Sequence, residues 1–493
     1  MLTATPITFD RKLLLIWLAL FSGALVSVAA VWAVWSFSTI QVIGLFFVII
    51  CCVLLALAPE KRRFILGAAI FVIPLNIDQS FMLHPSPGGA DSLSVGLFEI
   101  FLFLLFAATL FRMAHSKETG AFRLYPAILV PSIAILAFYL ISLVNARDFL
   151  WSLFDIVNFI KVILFFLLLA NNITNEKDLK VVLFALFAAL IVQAVIATLQ
   201  NINPDITDTL LRFKLGVSSQ IVFEQGVNPF VRSGGTFGNA NHLGRYFSLV
   251  LPTAIIFVLS PLSSRSLKIM SVVTSLIGVI AVINTFSRSA WAGMALAVLV
   301  MLPLMLKYRL LNFRSMFRIS FAVVVLALFL FVFGQRIWDR LTLDDKGSAM
   351  TRITTSKVAF RIIEDHPFIG CGINNYGAML PEYWIGEDTF TRKAAVHNNY
   401  LLYIAEIGIL GFAAFLSVLV AFGSRIRQAM KGQSPLYTAV AISFMGAFCG
   451  MLLESLSDKS YKENFSMLLT FWGMMAIIEA IIRLQNKPQL KGN

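Results

Sequence analysis

The residues best suited to chemistry begin with a His-Asn-Asn-Tyr cluster at positions 397–400. His397 is one of only five histidines in 493 residues, and the cluster runs directly into the apolar segment "LLYIAEIGIL". An imidazole at such a position could act as a general base near neutral pH. The alternative is a solvated histidine beside a helix cap, with Asn398 and Asn399 supplying the polar groups of that helix start.

Two further clusters combine arginine with small polar residues. "VRSGGTFGNANHLGRY" at 231–246 places Arg232 before glycines that let a backbone approach a ligand, and Asn239 and Asn241 could satisfy donors at a helix start. "NTFSRSAWAG" at 284–293 has Arg288 as its only charge, between two apolar segments. The alternatives are a glycine-rich turn with an N-cap, and an interfacial arginine beside Trp291.

The fourth cluster is "SAMTRITTSKVAFRIIEDHPFIGCGINNYG" at 348–377. Thr351 can cap a helix that Pro367 must end. Arg352 and Arg361 are nine residues apart, which places them on opposite sides of a helix, so both cannot face one small site. The surrounding segment 336–396 balances acidic and basic residues, so individual arginines would have to bind an anion. An amphipathic helix lying on the membrane is the alternative.

Composition identifies the elements that must position these residues. The chain is 59% hydrophobic and 13% charged with a mean hydropathy of +0.85, whereas soluble proteins carry about 25% charged residues. Apolar runs long enough to span a bilayer recur without the alternation of a barrel strand. We therefore predict an all-α polytopic membrane protein with about 14 transmembrane helices, at 13–35, 39–58, 64–82, 95–112, 126–144, 154–173, 179–199, 242–260, 268–286, 290–306, 318–335, 397–422, 436–455 and 463–482.

The charge of the short loops orients these helices. Lys and Arg are retained in short cytoplasmic loops, and one side of the predicted topology contains the basic segments "APEKRRF", "SSRSLK", "KYRLLNFRSMFR", "SRIRQAMKGQ" and "RLQNKPQLKGN". Both termini are then cytoplasmic, and the first 35 residues are a retained span rather than a removed signal peptide. The net charge of +13 follows largely from this bias and requires no nucleic acid.

The predicted organisation has five parts, and the four clusters fall on or beside external segments. The longest segment, between spans 11 and 12, is partly helical, and external loops of such length are often functional. The parts are helices 1–7 (1–200), an external loop (201–241), helices 8–11 (242–335), the large external loop (336–396), and helices 12–14 with a cytoplasmic tail (397–493).

Together the clusters resemble the O-antigen ligase and polymerase superfamily, which acts in bacterial envelope glycan assembly. The pattern His-Asn, nine residues, Gly-x-x-Gly is similar to that family's signature at the end of its large external loop. "SRSAW" is similar to its Ser-Arg turn, "GGTFGNANHLG" to its "GTFGNPNHLAG", and "HPFIGCG" to its "HPLLGVG" loop. In this chain the matched positions are His397, Asn398, Gly408, Gly411, Ser287, Arg288 and Arg352.

The resemblance covers roughly residues 225–475, and it has departures. Ala240 stands where proline is common, Phe412 stands where some ligases have threonine, and Ser356 stands where an aromatic residue is common. Fourteen spans, rather than the twelve usual among ligases, favour a polymerase. Ligation to lipid A core, chain extension on the lipid carrier and protein glycosylation all stay open, as do the sugar and the oligomeric state.

The resemblance implies an inverting glycosyl transfer on the external, periplasmic face of the bacterial cytoplasmic (inner) membrane. The donor would be a glycan on polyprenyl (undecaprenyl) diphosphate, and the acceptor a hydroxyl of a glycan or glycolipid. His397 would be the general base, and Arg288 and Arg352 would stabilise the diphosphate leaving group. Arg232, Asn239, Asn241, Asn398, Asn399 and Arg361 would contribute to substrate binding.

Two other interpretations can be weighed against this one. A metal-dependent glycosyltransferase of the other membrane family would have an acidic motif in its first external loop, which here is about "SFST". Oxygen ligands exist in the acidic pairs at 344–345 and 387–388, but their spacing is that of ordinary loops, and neither a CxxC nor a Cys/His metal spacing occurs. We therefore expect no cofactor and no metal.

A transporter or flippase for lipid-linked glycans is the second alternative. Charged residues in or near the spans can mark a transport path. The sequence shows no clear internal repeat of the kind that many transporters contain. The residues in question are Glu99, Lys161, Glu406 and Glu454.

Overall fold

The protein is described from a computed structural model that covers residues 60–86, 89–115, 122–203, 220–222, 230–261, 264–320, 348–384, 395–432 and 434–486, with 331, 334, 335 and 338. Ten helices in these ranges are long and apolar enough to cross a membrane. They are α2 (Leu97–His115), α3 (Pro126–Ser142), α4 (Phe149–Asn172), α5 (Glu176–Ile202), α6 (Ala240–Leu259), α7 (Arg265–Asn284), α8 (Arg288–Lys307), α11 (Asn399–Met430), α12 (Pro435–Glu454) and α14 (Phe465–Gln485).

Shorter helices are α1 (Lys61–Phe71), α9 (Ser348–Asp365), α10 (Tyr376–Tyr383) and α13 (Ser460–Glu463), and residues 313–320 are helical as well. Two antiparallel hairpins join them. Strand β1 (Asp78–Phe81) pairs with β2 (Leu93–Gly96), Asp78 opposite Gly96, and β3 (Gln220–Val222) pairs with β4 (Phe230–Arg232), Gln220 opposite Arg232. The architecture of the described residues is therefore all-α and polytopic, with α9 and α10 lying between the spanning helices α8 and α11.

Ten of the predicted spans coincide with these spanning helices. The predicted spans 13–35 and 39–58 lie outside the described residues, as does most of 318–335. The predicted span 64–82 is wrong as a continuous helix, because α1 ends at Phe71 and a 3-10 turn, Ile73–Leu75, follows. Pro74 lacks a backbone donor and Asn76 adopts a left-handed conformation, so the chain turns into β1.

The helix starts follow the local chemistry of the sequence. The side chains of Asp148, Asn175, Asn398 and Asn464 each accept a hydrogen bond from a backbone N–H in the first turn of the helix that follows. Proline occupies the first turn of α3 and α12, where its missing N–H costs nothing. These caps fix where the apolar helices begin, and hence where the polar clusters project.

Three helices form the centre of the bundle. In α6, α12 and α14, 83%, 78% and 89% of the most apolar stretch is buried, whereas the corresponding share in α3 and α8 is 28%. The outer helices pack around this centre, α8 on α12, α4 on α14 and α3 on α11, and α7 packs on both α5 and α6. Helix α6 and the start of α14 therefore carry their polar residues into the middle of the molecule.

The segments predicted to share the cytoplasmic side gather at one end of the bundle. Arg62 and Arg63 both pair with Asp178 at the start of α5, at 2.7 and 2.9 Å. Arg112 at the end of α2 donates to the Asn171 carbonyl. The hairpins, the start of α6 and the start of α11 are at the opposite end, where the polar clusters lie.

Candidate functional site

The His-Asn-Asn cluster is fixed against the loop that joins α12 to α13. Asn398 is the N-cap of α11, where its Oδ1 accepts from the Leu401 N–H, and its Nδ2 donates to the Leu456 carbonyl at 3.1 Å. The Asn399 N–H donates to the Ser455 carbonyl at 2.8 Å. His397 precedes the cap with 30% of its side chain exposed, so its imidazole has a fixed backbone and remains accessible.

Asp458, in the same loop, faces this imidazole. Its Oδ2 lies 3.8 Å from His397 Nδ1, while its Oδ1 accepts from the Ser460 N–H at 2.8 Å and from the Ser460 hydroxyl. Burial raises the pKa of Asp458, but the charge of Arg245, the hydrogen bonds from Ser460 and the neighbouring His397 together outweigh burial and hold that pKa below its ordinary value. Asp458 is thus a buried carboxylate in its anionic form beside a histidine, an arrangement that orients a general base.

Arg245 links Asp458 to the turn that carries Arg288. This arginine is in α6 with only 1% exposed, and its Nη2 lies 3.2 Å from Asp458 Oδ2 and 2.7 Å from Ser289 Oγ. Its Nη1 donates to Ser460 Oγ at 3.1 Å. Arg288, the neighbour of Ser289, begins α8 and is half-buried. His397 and the Ser-Arg turn, which are over one hundred residues apart in the sequence, therefore border one site.

The glycine- and asparagine-rich cluster supports the same turn. Arg232 donates from Nε to the Thr285 carbonyl at 3.0 Å and from Nη2 to Asn241 Oδ1 at 2.7 Å. Asn239 caps α6 and accepts from the Asn241 N–H at 2.8 Å. Arg232 therefore joins the start of α6 to the turn that precedes Arg288. Asn239 caps α6, which is the structural role that the sequence offered as the alternative to substrate binding. Contact of Arg232, Asn239 and Asn241 with substrate stays a prediction.

Helix α9 presents its two arginines to solvent. Its buried face consists of Thr355, Val358, Ala359 and Ile362, and the last three form one cluster with Ala395 and Val396 just before His397. Arg352 and Arg361 are both exposed and flank this face on opposite sides, as their spacing predicted. The helix begins at Ser348, so the expectation that Thr351 is its cap is wrong, whereas it ends at Asp365, two residues before Pro367.

Helix α11 is broken ten residues after the cap. Gly408 has φ +69°, and the Cys371 and Gly372 N–H groups donate to the carbonyls of Ala405 and Glu406, at 2.9 and 3.0 Å. A Cβ on Gly408 would overlap the Phe368 backbone. Gly408 therefore admits the backbone of the 367–372 loop, rather than a neighbouring helix, at the break.

A buried ion cluster fixes this break to α13. Lys462 Nζ lies 2.7 Å from Glu406 and 3.2 Å from Asp155 of α4, and its side chain is 2% exposed. Burial lowers the pKa of Lys462, but the two carboxylates outweigh it and hold that pKa above its ordinary value. The short helix that follows Asp458 is therefore anchored on both sides.

Sequence reasoning missed Asp458 and Arg245. Asp458 lies in "SDKSYKEN", which has the composition of an ordinary polar loop. Arg245 carried a usable signal, because a charge within an apolar span is costly and marks a functional or paired position. His242, one turn earlier on α6, contacts the Asn464 amide, which directly follows α13, at 3.3 Å.

The described residues contain no group of three His, Cys, Asp or Glu side chains that could hold a metal ion. The acidic pairs at 344–345 and 387–388, and the segment "SFST", lie outside the described residues. The site instead offers guanidinium groups, which bind phosphate oxygens without a metal. The expectation of metal independence stays a prediction.

Comparison with known proteins identifies a family for part of the chain. Residues 273–416 match the family model described as O-antigen ligase. No curated protein matches the chain. The matched segment includes Arg288, Arg352, Arg361 and His397–Asn399, whereas Arg245 and Asp458 lie outside it. The resemblance to the O-antigen ligase and polymerase superfamily is thereby confirmed.

Proposed function

We propose that this protein is a membrane glycosyltransferase that moves a glycan from a polyprenyl diphosphate to a hydroxyl of a glycan or glycolipid acceptor. The observation that carries the proposal is the contact of His397 with the buried carboxylate of Asp458, beside the turn that bears Arg288. The match of residues 273–416 to O-antigen ligases supports the same reaction class.

His397 is the general base in this mechanism. Asp458 faces Nδ1, which favours the tautomer with its proton on Nδ1 and leaves the Nε2 lone pair free to accept the proton of the acceptor hydroxyl. The Asp458 anion then stabilises the imidazolium that forms. Asn398 and Asn399 hold the helix start in place through the loop that contains Asp458, so the base and its carboxylate move as one unit.

The arginines act on the donor. The acceptor oxygen forms a bond to the anomeric carbon while the bond from that carbon to the diphosphate oxygen breaks, and the diphosphate leaves with the electron pair. Guanidinium groups stabilise this developing charge through paired hydrogen bonds to phosphate oxygens. We assign Arg288 and Arg352 to this role, and attack opposite the leaving group inverts the anomeric centre. Arg361 and Arg232 bind more distant parts of the substrates.

The orientation of the site follows from the loop charges. The arginines gathered at the other end of the bundle support a cytoplasmic location for that end, and we therefore assign the His397 site to the periplasmic side of a bacterial inner membrane. A lipid-linked donor that has already crossed the membrane would present its diphosphate at this level. The lipid bilayer itself is then a partner that concentrates the donor beside α8 and α11.

The contacts of the charged residues in the spans disfavour transport. Glu99 pairs with Lys161 at 2.7 Å, Glu406 pairs with Lys462, and Glu454 accepts from the Tyr461 hydroxyl. These contacts join helices to one another and are fixed in the packed structure. Charges along a transport path would instead have to exchange partners as the substrate passes.

Turnover tests the proposal directly. Purified protein incubated with a polyprenyl diphosphate-linked oligosaccharide and an acceptor glycan should release polyprenyl diphosphate in step with glycan transfer. Chelation of divalent metals should leave the rate unchanged. Movement of the intact donor across a vesicle membrane without release of polyprenyl diphosphate would instead establish a transporter. The size and attachment of the product separate a ligase from a polymerase.

A further inference from the structure

A polar cavity lies at the end of the bundle away from His397, and it is independent of the proposed reaction. Its volume is about 450 Å³. It lies between the residues that lead into α3, the later turns of α11 and the last turns of α14. The polar side chains of its wall are Arg123, Tyr125, Arg425, Glu479, Arg483 and Asn486.

The charges on this wall are unbalanced. Glu479 is the acidic residue of the lining, and Arg425 engages both of its carboxylate oxygens, each at 2.6 Å. Arg123 and Arg483 form no ion pair with any carboxylate in the described part of the chain. Arg483 is half-buried and donates to neutral acceptors, the Tyr125 hydroxyl at 2.6 Å and the Ile173 carbonyl. A half-buried guanidinium without a counter-ion gains strongly from an anionic ligand.

Arg112, which does not line the cavity, adds positive charge close to it. Asn171 accepts from the Arg112 guanidinium through its carbonyl and exchanges hydrogen bonds with the Arg123 backbone through its side-chain amide. Arg112 is thus held close to Arg123, again through a neutral partner. Several arginines converge on one cavity, whereas nearby Arg62 and Arg63 have carboxylate partners, Asp178 for both and Glu60 for Arg63 as well.

The mouth of the cavity reaches the surface that faces lipid. Leu124 is 57% exposed, and Pro126 and Ala127, in the first turn of α3, are exposed as well. Farther along α3, Val130 and Ile133 project outward with 63% and 52% exposed, as expected of a face against acyl chains. A ligand in the cavity can therefore place a charged group among the arginines while its apolar part extends along α3.

We propose that this cavity binds the phosphate group of an anionic phospholipid from the leaflet opposite the His397 site. Two guanidinium forks match the oxygens of a phosphodiester, and basic pockets between transmembrane helices on the cytoplasmic side suit lipid headgroups. A soluble phosphate or diphosphate shares this chemistry but has no apolar part to use the exposed start of α3. Bound lipid would join α3, α11 and α14.

The test uses full-length protein stripped of lipid in a neutral detergent. Addition of phosphatidylglycerol should raise the midpoint of thermal unfolding by ~2–4 °C near saturation, and phosphatidylcholine should have little effect. Arg123→Gln should weaken the apparent affinity for phosphatidylglycerol at least about tenfold, because it removes a charged hydrogen-bond donor. Arg123 is exposed, so its replacement leaves the packed core intact.

Arg427→Gln is the matched control, since Arg427 is an exposed arginine near the same end of α11 that does not line the cavity. It should respond to phosphatidylglycerol as the unmodified protein does, and native mass spectrometry should show one phosphatidylglycerol fewer on Arg123→Gln alone. Equal responses of the two variants, or equal stabilisation by phosphatidylcholine, would overturn the proposal. Stabilisation by inorganic diphosphate that matches phosphatidylglycerol would overturn the lipid assignment and establish a soluble anion site.

Discussion

At the scale of the residue, the account depends on the anion of Asp458. An orienting carboxylate beside a general base positions the ring and stabilises the imidazolium that forms during proton transfer. In this protein Arg245 and Ser460 hold that carboxylate, so its position does not depend on substrate. Without Asp458, His397 would be only the residue before the N-cap Asn398, and its imidazole ring could rotate freely.

Asp458→Asn tests this role. The amide preserves the size of the side chain but removes the charge, so we expect transfer to fall at least about tenfold while donor binding is retained. Single-turnover transfer and donor affinity should be measured on the same preparations. Glu364→Gln, which neutralises an exposed acid on α9, is the control and should leave both quantities unchanged. Loss of donor affinity alone in Asp458→Asn would contradict the assignment.

The arginines should differ from one another. Arg288→Ala and Arg352→Ala should abolish or strongly reduce transfer, whereas Arg361→Ala should be milder because it lies on the opposite flank of α9. Arg→Lys at 288 and 352 should restore only part of the activity, since an ammonium group cannot engage two phosphate oxygens in a planar fork. Initial rates over a range of donor concentrations decide this. An equal loss for Arg361→Ala would show that α9 presents its other side to the donor.

At the scale of the element, the break in α11 separates the part of the helix that carries His397 from the part that follows. The backbone groups left unpaired by the break are satisfied by the 367–372 loop, and Lys462 fixes the same point to α13. The first two turns of α11 are therefore held by α9, the 367–372 loop and the loop with Asp458 together. The site is thus built from segments distant in sequence, yet its position is rigid.

Gly408→Ala should disrupt this arrangement. With φ +69° and ψ 178°, Gly408 adopts a backbone conformation that is essentially restricted to glycine and costs a residue with a Cβ roughly 1–3 kcal/mol, and the added atom would overlap the Phe368 backbone. We expect a lower thermal midpoint and a loss of transfer of at least about tenfold. Gly423→Ala is the matched control, because Gly423 lies in the regular part of the same helix and an added Cβ would be 3.4 Å from the Phe448 ring. This variant should be neutral or slightly stabilising. Identical behaviour of the two variants would refute this role for the break.

The sequence predicted the spanning helices well because apolar length is a local property. The span at 64–82 failed because its second half, "PLNIDQSFM", turns at Pro74 and Asn76 and then pairs as β1 with β2, a non-local contact that hydropathy does not register. Asp458 was missed for the same reason, since only the folded chain brings "SDKSYKEN" next to His397. By contrast, Asn398 and Asn239 as caps, and Arg352 opposite Arg361, follow from helix geometry alone and were predicted.

At the scale of the whole molecule, charge is divided between the two ends. The basic segments predicted to be cytoplasmic lie around α5, α11 and α14, where Arg62 pairs with Asp178 and Arg425 pairs with Glu479. The His397 site lies at the other end of the bundle. This division explains the strongly basic composition without a nucleic-acid partner. The proposed phosphate-binding cavity and the proposed catalytic site thus lie at opposite ends of one bundle.

The orientation can be tested with an impermeant thiol reagent in intact cells. A cysteine placed at Glu364, which is exposed on α9, should be labelled without disruption of the cytoplasmic membrane. A cysteine at Arg427, which is exposed near the opposite end of α11, should be labelled only after that membrane is broken. The native Cys371 is buried and should contribute little background. The reverse pattern would invert the topology and place the site in the cytoplasm.

The most direct test of the whole account is single-turnover transfer by purified His397→Ala, measured with donor affinity and membrane level. His397 is 30% exposed and precedes the first turn of α11, so the variant should accumulate normally and bind donor normally. Loss of a general base typically costs 10²- to 10⁴-fold, and we therefore predict a fall in transfer rate of at least about two orders of magnitude. Transfer at a rate close to that of the unmodified protein would contradict the assignment of His397 as the base.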